Sequence, residues 1–266
     1  MKKVLTVIVS IIAAVSVLAG CSASSGAASS GNVIKIGVRK NLANFSSYNE
    51  DAGTYYGFED DLAAYIAVCL GYDGAELIGV DPEERESALE NGEIDCLIAA
   101  YSYTEERAGK FDLSEPYYYD SGRVMIEKST LFTDYADLEG AVVAVRKGTD
   151  AGDNLAQKLV SDGLIKQASD MDSFLELVEY ESYEEMNSAL EYGDVDALCS
   201  DGCITLPWLN DERTYFEEAY SEEQYVIATI KGSDLTAKIA SALSQLKENG
   251  TITRLEIKWG IADEEE

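Results

Sequence analysis

The chain has 266 residues, with 50 acidic and 20 basic side chains, a formal net charge of −30 and no histidine. This charge excludes nucleic acid as a partner, because phosphate binding requires clustered lysine and arginine. Without histidine the chain lacks Ser-His and Cys-His nucleophilic pairs and the commonest metal ligand. We therefore expect no enzyme activity, no catalytic residue, no metal site and no cofactor.

The amino terminus is typical of an exported protein. Lys2 and Lys3 precede an apolar run over residues 4–19, and Cys21 follows a small-residue exit. This is the pattern of a secretory signal. The alternative, a transmembrane anchor, is disfavoured because the run is short for a ~30 Å hydrocarbon core and no basic stop-transfer residues follow it.

The sequence around Cys21 also resembles the bacterial lipobox. That resemblance implies removal of residues 1–20 as a signal peptide and a diacylglycerol on the Cys21 sulfur. The protein would then be anchored to the cell membrane by lipid and face the extracellular side, or the periplasm where an outer membrane exists. Residues 21–32 are mostly Ser, Ala and Gly, which predicts a flexible tether.

The folded part is predicted to begin near Val33 with a strand over residues 33–38. A helix over residues 59–70 follows, because apolar side chains recur there on one helical face. Asp81 and the proline after it predict the start of another helix, since aspartate caps and proline suits the first helical position. A strand over residues 94–99 completes this half.

The same order of elements begins again after residue 140. Residues 141–145 are a predicted strand, and a helix is predicted after Thr149. Ser182 with glutamate three residues later is a capping box for a helix that ends at Gly193. A strand over residues 195–199 follows.

Two segments confirm that the halves are related in sequence. Residues 83–95 read EERESALENGEID, and residues 184–196 read EEMNSALEYGDVD. Alternating strands and helices predict an α/β fold with parallel sheets, whose ligands lie beyond the carboxyl ends of the strands.

The carboxyl-terminal part lies outside this repeat. It contains a predicted strand over residues 225–230, a helix over residues 234–249 and a shorter final helix. We expect this part of the chain to return to the first half. The chain would then pass between the two halves near residues 117–122 and again near residues 221–226.

One predicted strand ends in a group suited to a carboxylate. Ser102, Thr104 and Arg107 follow the apolar run of residues 94–99. An arginine fork matches a carboxylate bidentately, and hydroxyls and exposed amides complete the hydrogen bonds.

The chain resembles the extracellular solute-binding proteins of polar amino acid ABC importers, known as family 3, over residues 33–260. The segments that carry the resemblance are Gly57-Phe58-Glu59-x-Asp61-Leu62-Ala63, Gly92-x-Ile94-Asp95, Thr104-x-Glu106-Arg107, Phe111-Asp112-Leu113-Ser114-x-Pro116-Tyr117-Tyr118, Gly193-x-Val195-Asp196-Ala197, Asn249-Gly250-Thr251 and Lys258-Trp259-Gly260.

The resemblance implies a two-lobed periplasmic-binding-protein fold of type II. Each lobe would be a sheet flanked by helices, and a two-strand hinge would join the lobes so that they close on one amino acid. Residues 33–120 and 226–262 would form the first lobe and residues 121–225 the second. Residues 263–266 would be an acidic tail.

The resemblance also implies a set of binding residues. Arg107 would bind the ligand α-carboxylate, Ser102 and Thr149 would supply hydroxyl or amide donors beside the strand exit at Ala100, and Asp201 would bind the α-ammonium. A zwitterion does require a cation and an anion at a fixed separation, preferably one on each lobe. Each residue also has a structural alternative: a helix brace for Arg107, a cap for Thr149 and an Asx turn for Asp201.

Side-chain selectivity is expected from Arg39 and Arg146. Each follows a predicted strand, and each can face a second negative group, which favours glutamate or aspartate. The alternatives are a neutral polar amino acid or cystine, with these arginines balancing the protein's own carboxylates. Residues 43–45 read Ala-Asn-Phe where many family members have Pro-Pro-aromatic, so Phe45 is the candidate for the aromatic wall.

The resemblance implies a monomeric substrate-binding component that delivers a free amino acid to the permease of an ABC importer. A sensory or partner-binding protein on the same fold is the main alternative. A dehydratase-like enzyme is a further one, disfavoured by the absence of histidine.

The cysteines leave two alternatives open. Apart from Cys21 they are Cys69, Cys96, Cys199 and Cys203, without the close paired spacing of a zinc site. A bridge between Cys69 and Cys96 is possible in an exported chain, and free thiols are equally compatible with the sequence.

Overall fold

The computed structural model describes residues 32–262. The signal peptide, the lipidation of Cys21, most of the tether and the acidic tail lie outside these residues and stay predictions. None of the helices within residues 32–262 is long and apolar enough to cross a membrane.

The described chain alternates short strands with helices. The strands are β1 (Val33–Val38), β2 (Asn41–Leu42), β3 (Ser46–Asn49), β4 (Thr54–Tyr56), β5 (Gly74–Gly79), β6 (Cys96–Leu97), β7 (Phe111–Leu113), β8 (Tyr118–Glu127), β9 (Val142–Arg146), β10 (Glu176–Tyr180), β11 (Ala197–Asp201), β12 (Arg213–Tyr215), β13 (Ser221–Tyr225) and β14 (Ala228–Ile230). The α-helices are α1 (Phe58–Cys69), α2 (Arg85–Glu90), α3 (Glu105–Lys110), α4 (Ala151–Ser161), α5 (Tyr183–Tyr192), α6 (Gly202–Thr205), α7 (Asp234–Glu248) and α8 (Thr251–Lys258).

Two large sheets organise these elements. The first has the order β5-β1-β6-β14-β7, and the second has the order β10-β9-β11-β8-β12 with β13 paired to β8. In the first sheet β1 runs parallel to β5 and β6, and in the second β9 runs parallel to β10 and β11. The carboxyl ends of the central parallel strands therefore lie at one edge of each sheet, as the sequence predicts. A small antiparallel sheet, β2-β3-β4, follows β1.

The sequence repeat corresponds to a repeated contact. In the first sheet the Asp95 carboxylate accepts the Lys35 amide of β1 at 2.8 Å. In the second sheet the Asp196 carboxylate accepts the Val142 amide of β9, also at 2.8 Å. Each aspartate closes a helix–turn–strand segment onto the first strand of its half, so the duplicated motif has one structural role in both sheets.

The chain passes between the sheets on two adjacent strands. β8 follows β7 out of the first sheet, and β13 leads from the second sheet back to β14. These two strands pair antiparallel from Ser221 opposite Gly122 to Tyr225 opposite Tyr118. The α/β fold class, with two sheets flanked by helices and a two-strand connection, is confirmed. The exact lobe boundaries stay a prediction.

Several predicted boundaries shift by one or two residues, and three predicted elements differ more clearly from those in the structure. Helix α2 begins at Arg85 and not at Asp81, because residues 82–84 form a turn before the helix. The strand predicted over residues 94–99 is reduced to Cys96–Leu97. The strand predicted over residues 225–230 is interrupted at Val226 and Ile227, where the chain passes from one sheet to the other.

The four described cysteines are all free thiols, so the structure has no Cys69–Cys96 bridge within residues 32–262. Cys96 and Cys199 are buried in strands, and burial raises the pKa of each thiol well above its ordinary value. They behave as small apolar core residues.

Candidate functional site

A narrow cavity lies where the carboxyl ends of the two large sheets face each other. Its volume is about 10 Å³, close to the space that one water molecule occupies. A molecule larger than water does not fit a cavity of this volume. The lining residues are Arg39, Arg85, Ala100, Ser102, Thr149, Asp150, Ala151, Tyr183, Ser200, Asp201 and Ile204.

Five predicted site residues line this cavity and three do not. Those that line it are Arg39, Ala100, Ser102, Thr149 and Asp201; those that do not are Phe45, Arg107 and Arg146. Strands of both sheets end here. Candidate residues chosen because they follow predicted strands are therefore the ones that mostly lie together at the cavity. Arg85, Asp150 and Tyr183 also line the cavity, and the sequence analysis did not name them as candidate site residues.

Ala100 is held in a strained turn at the strand exit. Its φ is 45°, in the left-handed region that residues other than glycine rarely adopt. The Ala100 amide donates to Oε1 of Glu59 at 2.6 Å, and its carbonyl accepts from Nη1 of Arg85 at 3.1 Å. Both backbone groups are therefore fixed by buried side chains.

Arg39 is a buried cation at the end of β1. Its side chain is buried, its Nε has no hydrogen-bond partner, and its guanidinium lies 5.8 Å from the centroid of the Tyr183 ring. Within residues 32–262 no carboxylate lies within 4.0 Å of it. Burial raises the pKa of Glu59, while its hydrogen bonds and then the charges of Arg39 and Arg85 lower it, so Arg39 interacts with this carboxyl at longer range. Its guanidinium still lines the cavity and can bind an anion there.

Arg85 is a second buried cation in the same wall. Nη1 donates to the carbonyls of Ala99 at 3.2 Å and Ala100 at 3.1 Å, while Nε has no partner. Burial, and then the neighbouring charges of Arg107 and Arg39, lower the pKa of Arg85 to about 10. The sequence does contain a signal, because Arg85 is the single cation in the acidic run of residues 81–86.

Arg107 is bound by other protein groups. Nη1 donates to the Ser102 carbonyl at 2.7 Å and lies 3.2 Å from Oδ2 of Asp150, and Nε lies 3.6 Å from Oε1 of Glu86. The guanidinium also lies 4.4 Å from the centroid of the Tyr101 ring. Binding of a ligand α-carboxylate by Arg107 stays a prediction.

Arg146 is likewise paired. Nη2 lies 3.2 Å from Oε2 of Glu83, and Nη1 donates to the carbonyls of Lys147 and Tyr180 at 2.8 and 3.3 Å. The pair joins the end of β9 in the second sheet to the turn before α2 in the first. Arg39 follows β1 and Arg146 is the last residue of the equivalent strand β9, but only Arg39 lines the cavity.

Gly148 lies beside this ion pair and brings two backbone segments together. Its φ is 74°, and an added Cβ would lie 2.5 Å from the Glu83 amide nitrogen. Only glycine fits this approach, since both the backbone conformation and the space exclude a side chain.

Thr149 and Phe45 have structural partners. The Thr149 hydroxyl donates to the Arg146 carbonyl at 2.7 Å. Phe45 is fully buried and packs edge-on against Tyr118 and Tyr225, with centroid distances of 5.0 and 5.8 Å. Phe45 thus belongs to the aromatic cluster around the two crossing strands.

Carboxylates gather on the side of the second sheet. Oδ2 of Asp201 accepts a short hydrogen bond from the Tyr225 hydroxyl, and burial raises the pKa of Asp201 well above its ordinary value, with further increases from Glu223 and Asp150. Burial and then the Asp150 charge also raise the pKa of Glu223. Ser221 donates to Oε1 of Glu223 at 2.5 Å.

The cleft is therefore polarised across its width. The elements of the first sheet supply the guanidinium groups of Arg39 and Arg85 to the cavity wall, and those of the second sheet supply the carboxyl groups of Asp150 and Asp201. Arg107 lies outside the cavity lining and pairs with Asp150, and Glu223 adds a further negative charge near Asp201. A molecule with separated positive and negative groups fits this field. Within residues 32–262 no cluster of three His, Cys, Asp or Glu side chains is arranged to hold a metal.

The family model for bacterial extracellular solute-binding proteins, family 3, matches residues 34–262. The chain belongs to this family, and its fold is the one shared by type II amino acid-binding proteins.

Relatives of known name are amino acid-binding proteins. The chain is 28% identical over 97% of both sequences to the ABC transporter glutamine-binding protein GlnH of Bacillus subtilis (strain 168). It is 28% identical to an ancestral arginine-binding protein bound to arginine, with a TM-score of 0.74 over 86% of this chain and 98% of that one.

A second similar structure is the GluR0 ligand-binding core from Nostoc punctiforme in complex with L-glutamate. It is 27% identical, with a TM-score of 0.71 over 85% of this chain and 98% of that one. The ligands in these names have neutral, basic and acidic side chains, and all three are amino acids.

Proposed function

We propose that the protein captures a free amino acid between its two large sheets and delivers it to the membrane permease of an ABC importer. The observation that carries this proposal is the polarised cleft, in which Arg39 and Arg85 have no carboxylate within 4.0 Å among residues 32–262 and line the same cavity as the buried carboxyl of Asp201. An amino acid zwitterion presents the complementary charges, and the transport proteins to which the chain is similar bind amino acids.

The export signals support the same role. A lipid on Cys21 would hold the protein at the outer face of the membrane, beside its permease, and the Ser, Ala and Gly composition of residues 21–32 would suit a flexible tether. A lipid-anchored monomer needs no further partner to collect its ligand.

The ligand is proposed to be glutamate or aspartate. The support is Arg39, a buried guanidinium without a carboxylate partner within residues 32–262, on the same wall as Arg85. Two cations in one wall match two carboxylates, and burying a charge is favourable only when it is paired. Arg146 no longer contributes to this argument, because it pairs with Glu83.

A thermal-shift panel of the common amino acids and cystine tests the function. A ligand at about a hundred times its dissociation constant stabilises the fold by ~2.7 kcal/mol. We expect a clear increase in Tm with L-glutamate or L-aspartate and a smaller one with L-glutamine and L-asparagine, which differ only in side-chain charge. A panel without any hit would contradict the binding function, and equal shifts within each pair would contradict acidic selectivity.

The sensory alternative is also compatible with the fold, since a similar structure is described as a ligand-binding core and not as a transport protein. The two roles differ in their partner. Uptake of labelled amino acid by vesicles that contain the neighbouring permease and ATPase, dependent on this protein, supports delivery. Binding without dependent uptake supports sensing.

A further inference from the structure

Arg107 has partners on both sides of the cleft. Its Nη1 donates to the Ser102 carbonyl at 2.7 Å, and its Nε lies 3.6 Å from Oε1 of Glu86, both on the side of the first sheet. Asp150, which precedes α4 on the side of the second sheet, lies 3.2 Å from Nη1. If the two sheets move apart, Arg107 keeps Ser102 and Glu86 and loses only Asp150. Asp150 is therefore the partner that a ligand carboxylate would replace.

The Asp150 side chain does not serve the helix that it precedes. Asp150 occupies the N-cap position of α4, yet among the residues that the structure describes its carboxylate accepts no capping hydrogen bond. An aspartate at this position ordinarily accepts a backbone amide of the first helical turn. Here the carboxylate pairs with Arg107 and lines the cavity together with Asp201. Its charge is thus placed in the cleft and is available to a ligand.

The ion pair also borders a larger space than the cavity. A pocket of about 500 Å³ is lined by Arg107, Thr149 and Asp150, and the last two residues line the cavity as well. The pocket and the cavity therefore adjoin at the ion pair. A volume of this size is typical of small-molecule sites, so a molecule too large for the cavity can reach the pair from the pocket.

A zwitterion can replace the direct contact without leaving a charge unpaired. Its carboxylate would pair with Arg107 and its ammonium with Asp150, so that one ion pair becomes two. An acid without an ammonium group would leave Asp150 unpaired in a cleft that holds other carboxyls. After burial, the Asp150 charge is among the causes that raise the pKa values of Asp201 and Glu223. An uncompensated charge in such surroundings is unfavourable.

We propose that an amino acid inserts into the Arg107–Asp150 ion pair, with its α-carboxylate on Arg107 and its α-ammonium shared between Asp150 and Asp201. The inference rests on the proposed function, because it requires an amino acid ligand. It adds Asp150 as a binding residue that selects zwitterions over simple carboxylic acids. The N–Cα and Cα–C bonds of the ligand, about 1.5 Å each, determine how far the pair has to open.

Calorimetry on the purified protein tests the proposal with three probe pairs. They are L-glutamate with glutarate, L-glutamine with 4-carbamoylbutanoate and L-arginine with 5-guanidinopentanoate. Each second member keeps the α-carboxylate and the side chain and has hydrogen in place of the α-ammonium. In the wild type we expect the preferred amino acid to bind about 100-fold more tightly than its deaminated partner, because each lost ammonium contact leaves a carboxylate unpaired. In Asp150→Asn we expect this preference to shrink about tenfold, with Asp201 keeping the remainder.

Three further variants make the result specific to the charge of Asp150. Asp150→Ser is a second uncharged N-cap residue and should behave like Asp150→Asn, which keeps the test valid if one of them fails to fold. Asp150→Glu keeps the carboxylate and should restore most of the preference. Asp153→Asn is the matched control, because Asp153 is exposed, lies in the first turn of α4 and lines the same pocket. It should change the two affinities of a pair by the same factor.

Three results would overturn the inference. The first is an unchanged preference for the amino acid in Asp150→Asn and Asp150→Ser, which would leave Asp201 as the partner of the ammonium. The second is an equal gain in affinity for both members of a pair, which would make Asp150 only a competitor for Arg107. The third needs no variant and is equal affinity of the wild type for both members. A wild type that binds none of the three amino acids rejects the proposed function together with the inference, whereas the other results reject the inference alone.

Discussion

Arg107 and Asp150 form an ion pair across the cleft, with Nη1 and Oδ2 3.2 Å apart. Arg107 lies on α3 beside the first sheet, and Asp150 precedes α4 of the second. The Arg107 side chain is 9% exposed and that of Asp150 is 17% exposed, so the pair is more protected than a surface salt bridge. Each partner comes from a segment that the sequence analysis placed at a ligand site.

A double-mutant cycle measures this pair. Arg107→Met should lower the free energy of unfolding, while Asp150→Asn should lower it less, because loss of the pair is offset by relief of repulsion toward Asp201. We expect a coupling energy of about 1–2 kcal/mol, between the values for surface and buried pairs. Urea unfolding of the wild type, both single variants and the double variant gives this quantity. Additive single effects would show that the pair does not form in solution.

Arg39 and Arg146 should affect binding differently. Arg39→Met removes a cation that lines the cavity, so the affinity for glutamate should fall at least tenfold more than that for glutamine, a difference of about 1.4 kcal/mol. Arg146→Met breaks the ion pair with Glu83, so both affinities should fall by a similar factor. Calorimetry with both ligands checks this. The acidic-ligand hypothesis does not survive if Arg39→Met leaves the ratio unchanged.

Gly148 should control how closely the sheets approach. Gly148→Ala places a Cβ against the Glu83 backbone, so it should weaken ligand binding at least fivefold by opposing closure. Gly193→Ala is a matched control, because Gly193 has the same φ of 74° and no atom within 4 Å of an added Cβ. Both substitutions should cost about 1–2 kcal/mol of stability from the left-handed backbone. Equal affinities in the two variants would contradict the prediction.

Asp60 should make the fold less stable as the pH rises. Burial raises its pKa from 3.8 to about 8, with Glu59 and Asp61 contributing and Ser46 opposing. The Ser46 hydroxyl lies 2.6 Å from the Arg39 carbonyl and 2.9 Å from Oδ1 of Asp60. The Ser46 hydroxyl has one proton and cannot donate to both oxygens. If it donates to the Arg39 carbonyl, a protonated Asp60 can donate to the Ser46 oxygen, so that both hydrogen bonds form.

The sign follows from proton binding. Between pH 4 and 8 the unfolded chain has lost this proton and the folded chain keeps it, so the Asp60 contribution to stability declines by up to about 1.4 kcal/mol per pH unit. Asp60→Asn should remove that decline. Urea unfolding at pH 5, 6 and 7 checks this, with Asp51→Asn as an exposed control. Parallel curves for Asp60→Asn and the wild type would contradict it.

The fold was largely predictable from local patterns. The repeat around Asp95 and Asp196 predicts two related halves, and both residues make the same contact with the first strand of their half. Strand ends then predict the edge at which the cavity lies. The length of the strand at Cys96 was overestimated from the sequence. The buried apolar run continues past the last residue that pairs with a neighbouring strand and into the turn at Ala100.

The location of the candidate site could be predicted from the sequence, but the ion pairs that its arginines form could not. Arg39 and Arg146 have equivalent places in sequence, yet Glu83 reaches only Arg146. Arg85 lies in an acidic run that reads as a helix start, and its burial depends on Tyr101 and the carbonyls at residues 99 and 100. Such contacts join segments that are distant in sequence and depend on tertiary packing. Hydrophobic periodicity therefore does not predict them.

The burial of Arg39 and Arg85 has a consequence for how a ligand arrives. These cations are only 1% and 2% exposed, while the chain as a whole carries a net charge of −30. An anionic amino acid in solution therefore encounters repulsion first and attraction only inside the cleft. Salt shortens the range of the outer field to about 10 Å at 0.1 M and leaves the buried charges less affected. Glutamate should consequently associate faster as ionic strength rises, whereas glutamine, with no net charge, should associate at a nearly constant rate.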